Sequence, residues 1–392
     1  MPDGCRKQRD GREVNFDGRG GPVGQAPENK GRESGGAAAG ASERGVTVSV
    51  IVPVHNGGET FKQALSSLSG LLPAPDELIV VADGSTDGSA DLARQRGFEV
   101  IELAQRGGPA VARNAGAEHA RGEILFFVDA DAAPAADAVK RVKDALSAGC
   151  EYAAVFGSYD DEPAAANFFS QYKNLFHHYV HQTGRGDAFT FWAGCGAVRR
   201  DLFVAMGGFD ERYRRPSIED IELGYRLKAA GHRILLNKGL QVKHLKAWTA
   251  ASLVRTDFFG RALPWTDLIM KRRGVANDLN LSVTSRASVI LVFLMLASLG
   301  AGAFLHWLVA IAAAAALALG AINAPVYRFF LRKRGAWFAL RAAAWHWFYY
   351  FYGGVAFGIG FVRHVLGRGG KEAGRKRRAG DPRDVGTRAE AL

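Results

Sequence analysis

The sequence predicts an α/β domain with a mostly parallel central sheet, followed by C-terminal transmembrane helices. Three observations predict it. From residue 46 to about 248, short β-branched or apolar runs alternate with stretches of helical periodicity, the pattern of repeated strand–helix–strand units. Residues 287–322 form a run of 36 without Asp, Glu, Lys or Arg, longer than the apolar segments usual in soluble cores. Ahead of both, residues 1–45 carry 11 of the 48 glycines and almost no large apolar side chain. Such a stretch cannot offset the entropy of ordering, so it is expected to be a disordered tail.

Composition bounds the rest. The chain has 392 residues, 48% hydrophobic and 23% charged, with a formal net charge of +11. That excludes a wholly disordered protein and allows one large or two ordinary domains. Cys5, Cys150 and Cys195 lie far apart and match neither a disulfide framework nor a cysteine-based zinc motif, so a reducing compartment fits. Surplus Lys and Arg serve nucleic acid, anionic lipid or phosphorylated substrates alike. Here the basic residues flank apolar stretches or occupy tails, which reads as membrane-proximal charge and not as nucleic-acid binding.

In chain order, residues 46–54, 78–81, 99–103 and 124–128 read as strands apolar enough to be buried on both faces. Residues 60–72, 89–96, 110–120 and 135–148 read as the intervening helices. Such repeats imply right-handed crossovers and a ligand site at the carboxyl ends of the strands, just after Val54, Val81 and Val128. The α/β domain is expected to end near residue 248. Residues 249–286 then mix Leu253, Phe258, Phe259, Trp265 and Ile269 with Arg255, Arg261, Lys271 and Arg272. Two forms fit that mixture: a helix lying on an anionic leaflet, or a linker helix packed on the domain.

One straight helix over residues 287–322 would be roughly 54 Å long, nearly twice a hydrocarbon core of about 30 Å. Residues 287–326 are therefore expected to form a transmembrane hairpin turning near His306 and Trp307. Lys271, Arg272, Arg273 and Arg286 precede it, and Arg328, Arg332, Lys333 and Arg334 follow it. This places both hairpin ends and the α/β domain on the cytosolic side of a multi-pass cytoplasmic-membrane protein. A third segment, 337–363, carries an aromatic cluster from Trp345 to Tyr352 suited to the headgroup level. Basic residues flank it on both sides, so a spanning helix and a re-entrant or interfacial one both fit. Residues 364–392 read as a basic disordered tail.

The residues that carry chemistry stand at the expected strand ends. Pro53, Val54, His55 and Asn56 close the first strand, and Asp83-Gly84-Ser85-Thr86-Asp87 follows the second. Small residues let backbone approach a ligand while Asp83 accepts N–H donors from it; an ordinary turn with Asp87 or Ser85 capping the next helix fits the same letters. Asp129 and Asp131, two positions apart after the fourth strand, project to one side. Carboxylates so close favour a hard cation such as Mg or Mn, which would also neutralise a diphosphate leaving group. Alternatively, one of them caps the helix near Pro134. Glu219 and Asp220 open a helical pattern that stops at Gly231, where capping alone would account for them.

Taken in order, residues 50–56, Asp83-Gly84-Ser85-Thr86-Asp87, Ala112-Arg113-Asn114-Ala115-Gly116, Asp129-Ala130-Asp131, Gly207-Gly208-Phe209-Asp210-Glu211 and Glu219-Asp220 resemble the family 2 glycosyltransferases. The resemblance spans residues 48–244. It implies a GT-A fold, which is Rossmann-like, and an inverting, hexosyltransferase-type transfer of a single sugar from a nucleotide-sugar donor. A lipid, lipid-linked or glycan acceptor of the cell envelope, and Mg or Mn as cofactor, are implied with it. By position, Pro53, Val54, Asn56, Asp83, Arg113, Asp129 and Asp131 would bind the donor, with Asp83 on its base. Asp129, Asp131 and His244 would hold the metal, Asp220 would be the general base, and Trp192, Gly194 and Glu219 would lie on the acceptor side.

Two departures stand out: Ala82 replaces an acid often found before the Asp83 stretch, and Ala132 replaces one often found after Asp131. The Gln-x-x-Arg-Trp signature of processive synthases is missing, which disfavours a chain-extending polymerase. Retention of Asp83, Asp131 and Asp220 disfavours a catalytically inactive membrane scaffold, and the lack of an ionisable pathway disfavours a transporter.

Overall fold

The computed structural model describes residues 45–147, 149–272 and 279–379. The expected N-terminal tail, apart from Gly45, lies outside the described residues, as does 380–392. Nine strands build one sheet: β1 (Val48–Val54), β2 (Glu77–Asp83), β3 (Glu99–Leu103), β4 (Ile124–Val128), β5 (Ala132–Pro134), β6 (Tyr152–Tyr159), β7 (Asp187–Ala188), β8 (Cys195–Arg199) and β9 (Arg233–His244). Their order is β3-β2-β1-β4-β8-β6-β9-β5, with β7 paired to β9. The β3-β2-β1-β4 half is parallel throughout. Beyond it β8 runs antiparallel to β4 and β6, and β9 is parallel to β6.

Alternation along each strand explains the two-sided core. Val48, Val50, Val52 and Val54 of β1, with Phe126 and Val128 of β4, join Phe61 and Leu65 of the helix Gly58–Ser69 on one face. Ile51, Leu125 and Phe127 point to the other face, against Ala112 and Ala117 of the helix Pro109–His119 and Phe209. Phe126 and Phe127 are fully buried, so truncating either to Ala would cost about 3–5 kcal/mol. The expectation that all four early strands are buried on both faces fails at β3: Glu99 and Glu102 are exposed because β3 is the sheet edge, where charge blunts further pairing.

The chain after β9 stays attached to the domain. Helical segments Ala250–Arg255, Thr256–Ala262 and Leu263–Arg272 follow one another, the middle one π-helical. This linker is packed on the molecule through Leu253, Asp257, Thr266, Leu268 and Ile269, while Phe259 stays 64% exposed. Helices Val283–Ala301 and Leu308–Ile322 pack on each other, with His306 and Trp307 in the break between them. Among the described residues Val283–Ala301 is the one unbroken helix long and apolar enough to cross a membrane. Leu308–Ile322 passes only together with the next helix, from which it bends by 63°.

That next helix, Ala324–Ala379, is interrupted at Gly335, whose φ of +82° no regular helix accommodates. It runs on through much of the expected basic tail, whose Arg, Lys, Glu and Ala suit a helix. The aromatic segment within it is turned inward in part. Phe338, Ala342 and Trp345 share a cluster with Tyr172, Leu175, Trp248 and Phe330, and His346 is buried beside Phe176. Tyr172, Leu175 and Phe176 belong to the helix Phe168–Thr183, whose opposite side supports the site described next.

Candidate active site

The carboxyl ends of β1 and β2 are fastened loop to loop. Asn56, at φ 50°, accepts the Thr86 N–H at 2.8 Å on its side-chain oxygen, and Ser85 donates its hydroxyl to the Val54 carbonyl. The Gly58 N–H donates to Asp87, and His55 Nδ1 donates to the Asp83 carbonyl at 2.7 Å. Asp87 also accepts from the backbone and side chain of Ser89, so the capping alternative holds for Asp87. Pro53 and Val54 sit beneath this turn, Val54 buried.

Asp83 is 4% exposed, and its two oxygens accept the N–H groups of Gly107 and Gly108 at 2.6 and 2.8 Å. Gly108 has φ +97°, and a Cβ there would stand 2.5 Å from the Arg214 carbonyl oxygen, so glycine is required. Asp83 therefore seats the start of the helix Pro109–His119.

One turn into that helix, Arg113 is buried between two acids. Its guanidinium donates to Asp129 at 2.7 Å and to Glu219 at 2.8 Å. Burial opposes the charge, but Asp129, Glu219 and Asp220 outweigh it and hold Arg113 cationic. Arg113 is thus a clamp joining the β4 end to the helix Glu219–Ala229. The neighbouring Asn114 pairs with both the N–H and C=O of Phe209, tying down the Gly-Gly-Phe-Asp-Glu loop. Glu219 is 4% exposed, bonded to Arg113 and the Ser217 N–H. Its carboxylate is thus turned into the clamp with Arg113.

Asp220 is partly exposed and is linked to Asp129 through the two-residue segment Ala193-Gly194. The Ala193 N–H donates to Asp220 Oδ2 at 3.1 Å, and the adjacent Gly194 carbonyl accepts the Asp129 N–H at 3.2 Å. Burial, followed by the charge of Glu219, pushes the Asp220 carboxyl up to about 7. Trp192, leading into this loop, packs edge-on against Tyr159 and tilted against His177, with Gly194 under its ring. It supports the loop while staying partly exposed. Cys195 is a buried residue of β8; burial pushes its thiol up, so it is inert.

His244 reaches the site by register. Antiparallel pairing of β5 with β9 sets Ala132 opposite His244, so His244 Nε2 stands 3.6 Å from Asp131. Its Nδ1 is 2.8 Å from the Asn174 side-chain oxygen, an arrangement that turns Nε2 toward Asp131. Burial would raise the Asp131 carboxyl; His244 and the charge of Lys246 outweigh it and hold it low. An oxygen and an imidazole nitrogen form a donor pair that fits Mg or Mn, with further positions left for diphosphate oxygens. No three His, Cys, Asp or Glu converge on one point among the described residues. Asp129, also expected among the ligands, is paired with Arg113.

Sequence reasoning missed the layer behind this pair. Tyr159 stacks on His244 at 4.4 Å and touches His177, which lies 3.9 Å from His181. Burial keeps both imidazoles neutral, His181 down to about 4. Asn174, His177 and His181 share one side of the helix Phe168–Thr183, and their spacing of three and four was the available signal. Also missed was a buried charge group. Asp257 accepts from Lys173 at 2.8 Å and Tyr352 at 3.1 Å, with Arg261 3.5 Å away; burial pulls Lys173 down to about 8.

Comparison with known proteins bears on this arrangement. Residues 49–207 match the family model Glycosyl transferase family 2. The match covers β1 through β8 and stops short of Asp220 and His244. Over 203 residues the chain is 30% identical to the succinoglycan biosynthesis protein ExoA of Rhizobium meliloti, covering 47% of this chain and 59% of that one. Over another 203 it is 27% identical to the probable glycosyltransferase YdaM of Bacillus subtilis, covering 48% of each. The uncharacterized glycosyltransferase YibD of Escherichia coli is 38% identical over 88 residues, 21% of this chain and 26% of that one. The chain thus spans from about a quarter to three fifths of these relatives. The fold is shared with the mannosyltransferase PcManGT from Pyrobaculum calidifontis, solved with GDP-Man and Mn2+, at TM-score 0.50 and 22% identity over 80% of this chain and 87% of that one.

Proposed function

We propose that this chain is a membrane-bound, metal-dependent, inverting glycosyltransferase. It moves one sugar from a nucleotide-sugar donor to a lipid, lipid-linked or glycan acceptor at the cytosolic face of the membrane. The observation that carries the reading is the stitching of Asp129 to Asp220 through the Ala193-Gly194 backbone, with Asp131 and His244 on the adjoining strand. The apolar helix Val283–Ala301 supports the membrane placement.

Each residue then has a task. Asp83 and the turn at Asn56 form the floor for the nucleoside. Asp131 and His244 would hold the divalent ion, which when bound neutralises charge building on the leaving diphosphate. Asp220, with a carboxyl near neutral pH in its affinity for protons, accepts the proton of the acceptor hydroxyl as that oxygen attacks the anomeric carbon. Attack opposite the diphosphate inverts the centre. Arg113 keeps Asp129 and the start of the Asp220 helix in fixed relation.

A thermal-shift panel of nucleoside diphosphates and their sugars, with and without manganese, on the detergent-solubilised chain tests the donor side. Asp220→Asn tests the base: nucleotide binding is retained and transfer is lost. Unchanged turnover in that variant overturns the assignment.

A further inference from the structure

A recess of about 350 Å³ opens between the helix Phe168–Thr183 and the first turns of the helix Ala324–Ala379, away from the acids of the site above. Its walls include His178, Tyr179, Gln182, Arg328, Phe329 and Arg332, and no Asp or Glu lines it. Arg328 and Arg332 are four residues apart, so they project from one helix face. Neither guanidinium has a hydrogen-bond or ion-pair partner among the described residues. Their neighbours differ: Lys333 pairs with Asp161, and Arg334 donates to Gln171 at 2.8 Å. The cations that attach this helix to the domain are thus already assigned, and two remain over the recess.

His178 and Phe329 fix one wall of the recess. His178 is 9% exposed, and its Nδ1 lies 2.8 Å from the Tyr159 carbonyl, which only accepts. Nδ1 therefore carries the hydrogen and Nε2 of the neutral ring is an acceptor, so an anion in the recess would be met by Arg328 and Arg332 and not by this imidazole. Phe329 stacks on the His178 ring at 5.9 Å and 17°, giving an apolar wall beside the cations. Two guanidinium forks above a cavity without carboxylates match the tetrahedral oxygens of a phosphate better than a single point charge would.

Position decides the source of that phosphate. The apolar helix Leu308–Ile322 ends at Asn323, and Pro325 and Arg328 follow within about one turn. With that helix in a bilayer, the recess lies at the cytosolic headgroup level. We propose that it binds the phosphate of an anionic phospholipid, in a recess that none of Asp83, Asp129, Asp131, Asp220 or His244 lines. The proposal rests on the membrane part of the reading above and is independent of the transfer chemistry.

The test uses the full chain in a neutral detergent, titrated with short-chain phosphatidylglycerol and, in parallel, short-chain phosphatidylcholine, with binding read by native mass spectrometry. Phosphatidylglycerol binds preferentially to the native chain. Arg328→Gln with Arg332→Gln weakens it about tenfold or more, whereas Arg328→Lys with Arg332→Lys keeps the preference. Arg363→Gln, a basic change outside the recess, leaves it unchanged. An unaltered preference in the double glutamine variant, or an equal loss in Arg363→Gln, overturns the proposal. Inorganic phosphate that displaces the lipid at equal concentration overturns the lipid source. Nucleoside diphosphate binding, followed on the same samples by thermal shift, checks folding and reports separately on the glycosyltransferase reading.

Discussion

Replacing Arg113 by Met removes the cation from between Asp129 and Glu219 while keeping most of its apolar stem. The two acids differ in what they can do afterwards. The Asp129 side chain is 34% exposed and regains water, but that of Glu219 is 5% exposed and keeps only the Ser217 N–H. The loss therefore falls on Glu219, a buried carboxylate stripped of its counter-ion. Breaking a buried pair from one side costs about 3–5 kcal/mol, and each kcal/mol lowers Tm by about 2–4 °C for a domain of this size. Differential scanning fluorimetry of the solubilised chain should show a fall of roughly 6–20 °C. Adding Glu219→Gln removes the stranded charge and should restore more than half of it, a coupling a double-mutant cycle measures. A loss under about 1 kcal/mol, or no recovery in the double variant, refutes the reasoning.

Three other perturbations address the site. Asp220 has a carboxyl raised from 3.8 to about 7, so its contribution to stability is full below pH 3.8 and is lost as pH rises through about 7. Asp220→Asn should accordingly raise Tm by a few degrees at pH 8 and little at pH 4, while native transfer activity climbs through pH 7 as the base ionises; equal Tm shifts at both pH values count against it. Asn174→Leu releases His244 Nδ1 and should weaken manganese binding about tenfold, read by electron paramagnetic resonance of free manganese, and unchanged affinity removes His244 from the metal role. Asp83→Ala strands the Gly107 and Gly108 amides, which should cost about 1–3 kcal/mol by denaturant titration and abolish the thermal shift from nucleoside diphosphate; retention of that shift refutes the seating role.

Strands β1, β2 and β4 of the parallel half were legible because they are short apolar runs bounded by Gly, Asp and Pro, and their burial leaves little room for another arrangement. The ends of β1, β2 and β4 located the acids for the same reason. What periodicity concealed was pairing. The Arg113 clamp was hidden because nothing local shows that residue 219 returns to it from 106 positions away. Trp192 and the 345–352 aromatics looked like surfaces for sugar or headgroups, since a large ring reads alike whether it faces a ligand or another ring. His244 was found through resemblance, but its partner Asn174 lies in a helix whose hydrophobicity is ordinary. Lys173 and Asp257, 84 residues apart, carry no local signal that they meet.

The helix Phe168–Thr183 has no idle side. Asn174, His177 and His181 brace Tyr159 and His244, while Tyr172, Leu175 and Phe176 are sunk among residues that follow position 248. Shortening the chain at that position would bare several large rings and aliphatic groups, each worth about 1.5–3 kcal/mol when covered, and would loosen the scaffold of the imidazole beside Asp131. A water-soluble catalytic fragment would need those positions redesigned as well as a new stop codon.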